Sequence, residues 1–245
     1  GPAANGIGWP LVTVFTLLIA ASMAELASAY PTAGGLYYWA SRLRNKDWGW
    51  WTAWLNLGGL VSATAGVVYS AAIYWCVTIL KIDPFSETAG LFNAIWVTGI
   101  IMLVAIVLNA AGTRIMAFLN DLSVWWHIAF VLAIFFGLLF LGSQATQPLD
   151  FLFRVQPGTN ADGVPWSEIL PLGVFGAFMF GLLQAQWTYT GYDASAHVAE
   201  ETVDAKVNSG WGVFMSVAVS AVVGFLLLAA VTLKMDSVEA VLTNA

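Results

Sequence analysis

Charged side chains are scarce in this chain. Asp, Glu, Lys and Arg together make up only 9% of its 245 residues, whereas 60% of the residues are hydrophobic. Soluble globular proteins carry roughly a quarter charged residues and under about half apolar ones. A soluble domain of this length cannot hide so much apolar surface, because much of any folded surface must face the solvent. The composition therefore predicts an integral membrane protein surrounded by lipid, in a plasma membrane or a bacterial inner membrane.

Cysteine, histidine and clusters of basic residues are also rare. The single cysteine, Cys76, lies in an apolar run, which excludes an internal disulfide and a cysteine-based metal cluster. His127 and His197 lie in different segments, and no HExxH, CxxC, GxSxG or P-loop motif is present. The net charge of −6 gives no support to nucleic-acid binding, which requires a clustered basic surface. We therefore expect no enzyme activity, no cofactor, no metal site and no nucleic-acid partner.

Long apolar runs are what the chain has in abundance. A helix needs about 20 mostly apolar residues to cross the hydrocarbon core of a bilayer. Six segments meet this requirement, with interruption near 187–193 in the fifth: 9–29, 50–80, 92–111, 122–141, 169–199 and 211–233. A water-soluble helical bundle would show a polar stripe every 3.6 residues, and several of these runs show none. We predict an all-α fold, a polytopic membrane helix bundle, with residues 1–245 forming a single membrane domain.

The start of the chain gives a further expectation. The chain begins Gly-Pro-Ala-Ala, without Met or a basic signal-peptide region, so we expect it to be part of a longer protein.

In the second run, small residues recur every four positions, at Gly58, Ser62, Gly66 and Ser70. Such stripes let membrane helices approach closely, so we predict a helix-packing face there.

The fifth run changes character part-way along. It is apolar up to Gln184 and then reads QAQWTYTGYD as far as Asp193. Thr, Tyr and Gly in succession weaken helix propensity. Trp187 lies well inside the run, where an indole N–H needs a partner away from lipid. These features predict a helix that is interrupted within the membrane.

An interrupted membrane helix is tolerated only where its freed backbone groups meet protein, water or a ligand. Discontinuous helices of this type build substrate sites near the midplane of transporters. The alternative is that the run ends at Gln184 and the remainder is a cytoplasmic loop. The stretch from Ile169 to Gln184 is 16 residues long, which is short for a full crossing. The pattern therefore favours the interrupted helix.

Three ionisable residues within or beside the runs are candidates for coupling or gating. They are His127, Asp193 and Glu25. An ionisable group at membrane depth is a functional candidate by default, and histidine titrates near physiological pH. His127 is alternatively an interfacial or hydrogen-bonded packing residue, and Glu25 is equally compatible with a structural role.

Two stretches of the chain resemble a known family. Residues 23–39 contain MAEL, AYPTAGG and YW, and residues 189–202 read YTGYDASAHVAEET. These motifs resemble those of the amino acid–polyamine–organocation (APC) superfamily permeases, most closely the amino acid/choline/GABA transporter branch. By this resemblance the six runs correspond to helices two to seven of a twelve-helix transporter with a five-plus-five inverted-repeat fold.

The resemblance implies an ion-coupled secondary carrier that works by alternating access. Trp187, Thr188, Thr190 and Gly191 match the unwound part of the sixth helix, whose side chains and main-chain groups contact the substrate amine. Asp193 then begins the inner half-helix. His127 matches a fifth-helix position that is a lysine in some proton-coupled relatives.

The expected substrate is an amino acid or a related amine, such as GABA, choline or a polyamine, and the coupling ion is a proton or sodium. The family's glycine-rich first-helix motif and helices eight to twelve are absent from the sequence, so this chain carries one wall of the expected site. The competing hypothesis is a non-transporting membrane sensor or assembly subunit built on the same scaffold.

Overall fold

The computed structural model describes residues 1–84, 90–140, 147–155 and 163–235. Within these ranges the chain forms helices and no strand. Five helical segments are long and apolar enough to cross a membrane: Ala4–Ala29, Lys46–Leu80, Asn93–Ala110, Thr113–Phe140 and Ala205–Leu233. The predicted all-α, polytopic membrane fold is confirmed, and the protein is an integral membrane protein.

Ten α-helices follow one another along the described ranges. They are α1 (Trp9–Ala29), α2 (Gly35–Leu43), α3 (Lys46–Trp75), α4 (Gly90–Ala110), α5 (Thr113–Phe140), α6 (Trp166–Ile169), α7 (Gly173–Gly181), α8 (Leu183–Thr188), α9 (Ala194–His197) and α10 (Ala205–Leu233). A π-helical turn, Ala4–Gly8, precedes α1, and a second, Cys76–Leu80, continues α3. Two 3-10 turns cover Leu149–Phe153 and Ala199–Glu201.

Several helices extend beyond the apolar runs that predicted them. α5 begins at Thr113 and α10 at Ala205, ahead of the runs at 122–141 and 211–233. α3 begins at Lys46, where the side chain of Asn45 accepts a hydrogen bond from the Trp48 N–H at 3.0 Å. A capped helix continues through polar residues because its backbone bonds do not depend on lipid. The fifth run contains the short helices α7 to α9, and the division into six crossings within one domain stays a prediction.

The chain folds as two compact units, residues 1–35 with 129–245 and residues 36–128. In the first unit α1 packs along α10. Small residues permit the close approach: a Cβ atom added at Gly224 would overlap the ring of Trp9, and one added at Gly210 would overlap the Ser28 hydroxyl. Val213 and Val217 of α10 are fully buried. Close packing through small side chains is the usual way in which membrane helices associate.

In the second unit α3 packs against α4. Ala72, Cys76 and Ala94 are fully buried. The small-residue stripe of α3 behaves differently from the α1–α10 contact, because a Cβ atom added at Gly58 would meet no atom of the described residues within 4 Å. Among the described residues, no helix therefore packs against the predicted face at Gly58.

Candidate functional site

The helical backbone is interrupted between α8 and α9. α8 ends at Thr188 and α9 begins at Ala194, with turns between them. Here the backbone bonds span three residues instead of four: Thr190 N–H donates to the Trp187 carbonyl and Ala194 N–H to the Gly191 carbonyl, both at 3.1 Å. Gly191 has a φ of +90°, a conformation that L-residues with a side chain rarely adopt. We call residues 187–193 the polar break.

One side of the polar break is anchored by Tyr189, whose side chain is only 4% exposed. Its hydroxyl and that of Thr13 on α1 form a hydrogen bond of 2.6 Å. Its ring lies 5.3 Å from the ring of Trp9, centroid to centroid. The indole N–H of Trp9 in turn donates to the Ala221 carbonyl of α10 at 3.0 Å. Tyr189 therefore connects the polar break to α1 directly and to α10 through Trp9.

The other side of the polar break is open. Trp187, Thr188, Thr190 and Gly191, the residues predicted to contact a substrate, are all exposed, and Trp187 is 56% exposed. The two threonine hydroxyls donate to the carbonyls of Gln184 and Gln186, at 3.0 and 3.1 Å. The four predicted residues are thus exposed, whereas Tyr189, which lies between them in the sequence, is buried.

Main-chain groups of the polar break also lack partners. Within the described part of the chain, the carbonyl oxygens of Tyr189 and Thr190 accept no hydrogen bond, and the N–H groups of Gly191 and Asp193 donate none. Polar backbone groups need a partner in a low-dielectric environment. These groups are therefore available for water or for a polar ligand.

Asp193 lies at the end of the polar break, and its carboxylate is mostly buried. Its Oδ2 lies 3.3 Å from Nε2 of His197, one helical turn further on. Sequence reasoning named His197 only as part of the polar stretch and gave it no role. The spacing of four residues between an acid and a histidine was the signal that could have identified this pair.

The other two coupling candidates are not part of the polar break. Glu25 is exposed and lines a groove of about 720 Å³ between α1 and α10, together with Lys206 and Trp211. His127 is exposed on α5, in the second unit, and its ring has no hydrogen-bond partner among the residues that the structure describes. Only Asp193 of the three predicted ionisable residues therefore belongs to the polar break itself.

Sequence reasoning missed Tyr189, Thr13 and Trp9 as parts of the site. Thr13 and Tyr189 are separated by 176 positions along the chain. No local pattern of the sequence connects residues this far apart, so only the packing of α1 against the polar break reveals their contact.

A sequence model of the family described as amino acid permease matches residues 1–244. The chain belongs to the amino acid permease family. This confirms the resemblance noted in the motifs at 23–39 and 189–202, and it agrees with the expectation that the protein is not an enzyme.

Named relatives of this permease family member include an Arabidopsis thaliana protein described as amino-acid permease BAT1, 32% identical over 97% of this chain and 46% of the relative. A Saccharomyces cerevisiae GABA-specific permease is 28% identical over 97% of this chain and 42% of the relative. A Candida albicans putative polyamine transporter is 26% identical over 91% of this chain and 40% of the relative. The chain thus spans somewhat less than half the length of these relatives. No solved structure matches it significantly.

Proposed function

We propose that the whole protein transports an amino acid or a related amine across a cell membrane as an ion-coupled secondary carrier with alternating access. Family membership supports the general activity, and the polar break supports the mechanism. The single observation that carries the proposal is an exposed and incompletely hydrogen-bonded stretch, with Gly191 at a φ of +90°, within an otherwise apolar segment. Such a stretch is costly in a membrane unless it faces water or a ligand.

In this proposal the open face of the polar break forms one wall of the substrate site. The carbonyl oxygens of Tyr189 and Thr190 are acceptors for a substrate ammonium group, which is a donor only. Thr188 already donates its hydroxyl hydrogen to a carbonyl, so its oxygen retains only acceptor capacity toward that ammonium. Trp187 offers an aromatic face, which attracts cations. These chemistries suit an amine and extend to GABA, choline or a polyamine.

Asp193, His127 and Glu25 are the proposed coupling or gating residues. Asp193 is the last residue of the polar break, so a change in its charge state acts directly on the main chain that holds the substrate. His127 is the proposed proton-carrying group because, by the family resemblance, it matches a position that is a lysine in some proton-coupled relatives. Glu25 faces the α1–α10 groove with Lys206, which suits a role in gating. The coupling ion is a proton or sodium.

Uptake by the full-length protein in proteoliposomes tests this proposal. We expect saturable uptake and counterflow of a labelled amino acid, GABA, choline or polyamine, driven by an imposed proton or sodium gradient. If the proton is the coupling ion, His127→Asn should abolish gradient-driven uptake and preserve counterflow. Absence of uptake of every candidate substrate would contradict transport and favour a membrane sensor or assembly subunit. Uptake that does not saturate would instead indicate a channel.

A further inference from the structure

Two side chains beyond the polar break contact the turn that follows α1. Oε1 of Glu200 accepts a hydrogen bond from the Ala33 N–H at 3.1 Å. The ring of His197 lies against Gly35, so closely that a Cβ atom added there would sit 3.2 Å from both Cε1 and Nδ1 of the ring. We call these four residues, Ala33, Gly35, His197 and Glu200, the α1-end joint.

The turn is built to receive these contacts. Gly35 has a φ of +44°, and its lack of a side chain leaves room for the imidazole. Backbone bonds from the Thr32 N–H to the Tyr30 carbonyl and from the Gly35 N–H to the Thr32 carbonyl shape the turn, at 2.9 and 3.0 Å. The Ala33 N–H takes no part in these bonds and donates to the Glu200 carboxylate. A carboxylate is a stronger acceptor of such a bond than a neutral group.

The His197 ring has a second contact as well. Asp193 Oδ2 lies 3.3 Å from its Nε2, so the contacts run from the polar break through Asp193 and His197 to Gly35. Ser195, between them, donates its hydroxyl hydrogen to the Ser209 carbonyl of α10 at 3.2 Å. The segment after Gly191 is therefore fixed to its surroundings by several polar contacts.

The polar break is consequently attached to α1 and its following turn at both of its ends. Before Gly191 the attachment is Tyr189 with Thr13, and after Gly191 it is the α1-end joint. We propose that Glu200 and His197 are positioning residues that hold the segment after the polar break on the end of α1 and thereby set the geometry of the site. This inference rests on the proposed function, and it assigns to these residues no contact with substrate.

Three variants of the full-length protein separate this role from a general effect of charge: Glu200→Ala, Glu200→Gln and Glu201→Ala. Glu201 is the matched control, because it is an exposed neighbouring carboxylate without a side-chain partner within the described residues. We expect Glu200→Ala to lower the Vmax of uptake about tenfold, as for loss of one hydrogen bond to a charged group, with little change in KM. Glu200→Gln should restore uptake, since an amide oxygen accepts the same bond, and Glu201→Ala should leave it unchanged.

Hydrogen exchange of the peptide that contains the Ala33 amide provides a readout that does not require transport. Exchange should accelerate in Glu200→Ala and remain slow in Glu200→Gln and Glu201→Ala. Equal exchange in all variants would contradict the proposed role of the α1-end joint. A Glu200→Gln variant that is as defective as Glu200→Ala would contradict it too. If the wild-type protein shows no uptake but the variants show the predicted exchange pattern, the proposed transport is refuted and the α1-end joint is supported.

Discussion

Replacing Gly191 with leucine should abolish uptake while the protein still inserts into the membrane. Gly191 has a φ of +90°, and an L-residue with a side chain pays roughly 1–2 kcal/mol in the left-handed region. A Cβ atom added there would meet no atom of the described residues within 4 Å. The substitution is therefore disfavoured by backbone conformation and by the bulk placed on the open face, not by a clash that prevents folding. Gly191→Ala, which adds only the backbone strain, should lower uptake about tenfold.

The matched control for Gly191 is Gly112, between α4 and α5. It too has a positive φ, +107°, and open space around its added Cβ among the described residues. Gly112→Ala introduces comparable strain outside the polar break, so it should affect the amount of folded protein and leave uptake per molecule unchanged. Uptake by Gly191→Leu equal to that of the wild type would contradict the role of the polar break.

Tyr189→Ala should produce the largest loss of stability among substitutions in the site. Tyr189 is 4% exposed, contacts the ring of Trp9 and hydrogen-bonds Thr13. Truncation of a buried aromatic side chain typically costs about 3–5 kcal/mol, because it removes packing and leaves a cavity. Thermal unfolding of the full-length protein in detergent measures this change. Tyr74→Ala is the control, since Tyr74 is 63% exposed and its loss should alter stability by less than about 0.5 kcal/mol.

The hydrogen bond of Tyr189 can be separated from its packing. Tyr189→Phe keeps the ring and should cost about 0.5–1.5 kcal/mol. Thr13→Val should cost a similar amount, and the double variant should cost less than the sum of the two, because both changes remove the same bond. Strictly additive losses would show that the two hydroxyl groups stabilise the fold independently.

The membrane fold and its main helices follow from composition and from the length of apolar runs. The predicted run at 9–29 coincides with α1, Trp9–Ala29, although a π-helical turn, Ala4–Gly8, extends the helical backbone before it. The run at 122–141 predicts only the later part of α5, Thr113–Phe140. Hydropathy detects the part of a helix that lipid can solvate, whereas helix length is determined by backbone hydrogen bonds and caps.

The sequence gives less information about which faces of the helices pack against each other than about where the helices lie. The regular stripe on α3 predicts a packing face, yet a Cβ atom added at Gly58 would meet no atom of the described residues within 4 Å. The close α1–α10 contacts instead involve Gly210 and Gly224 of α10. Small residues allow contact but do not specify a partner. The α1–α10 packing depends on which helices the topology brings together.

The candidate site was predictable where its signals are local. A polar run with Gly191 predicts a weak point in a helix, and the acid–histidine spacing marks Asp193 and His197. The anchor of the polar break was not predictable, because Tyr189 finds Thr13 across 176 positions. The role of the open face in binding substrate stays a proposal that an accessibility experiment can decide.

Protection of a cysteine at position 190 by substrate is the most direct test of that proposal. Thr190→Cys, made in a Cys76→Ala background of the full-length protein, places one thiol on the exposed face of the polar break. Val203→Cys, at a position that is 80% exposed in the loop before α10, is the control. The account predicts that transported substrate slows modification of the thiol at position 190 by a polar thiol reagent, and leaves the control thiol unaffected. Equal modification rates with and without substrate, in a variant that still transports, would contradict it.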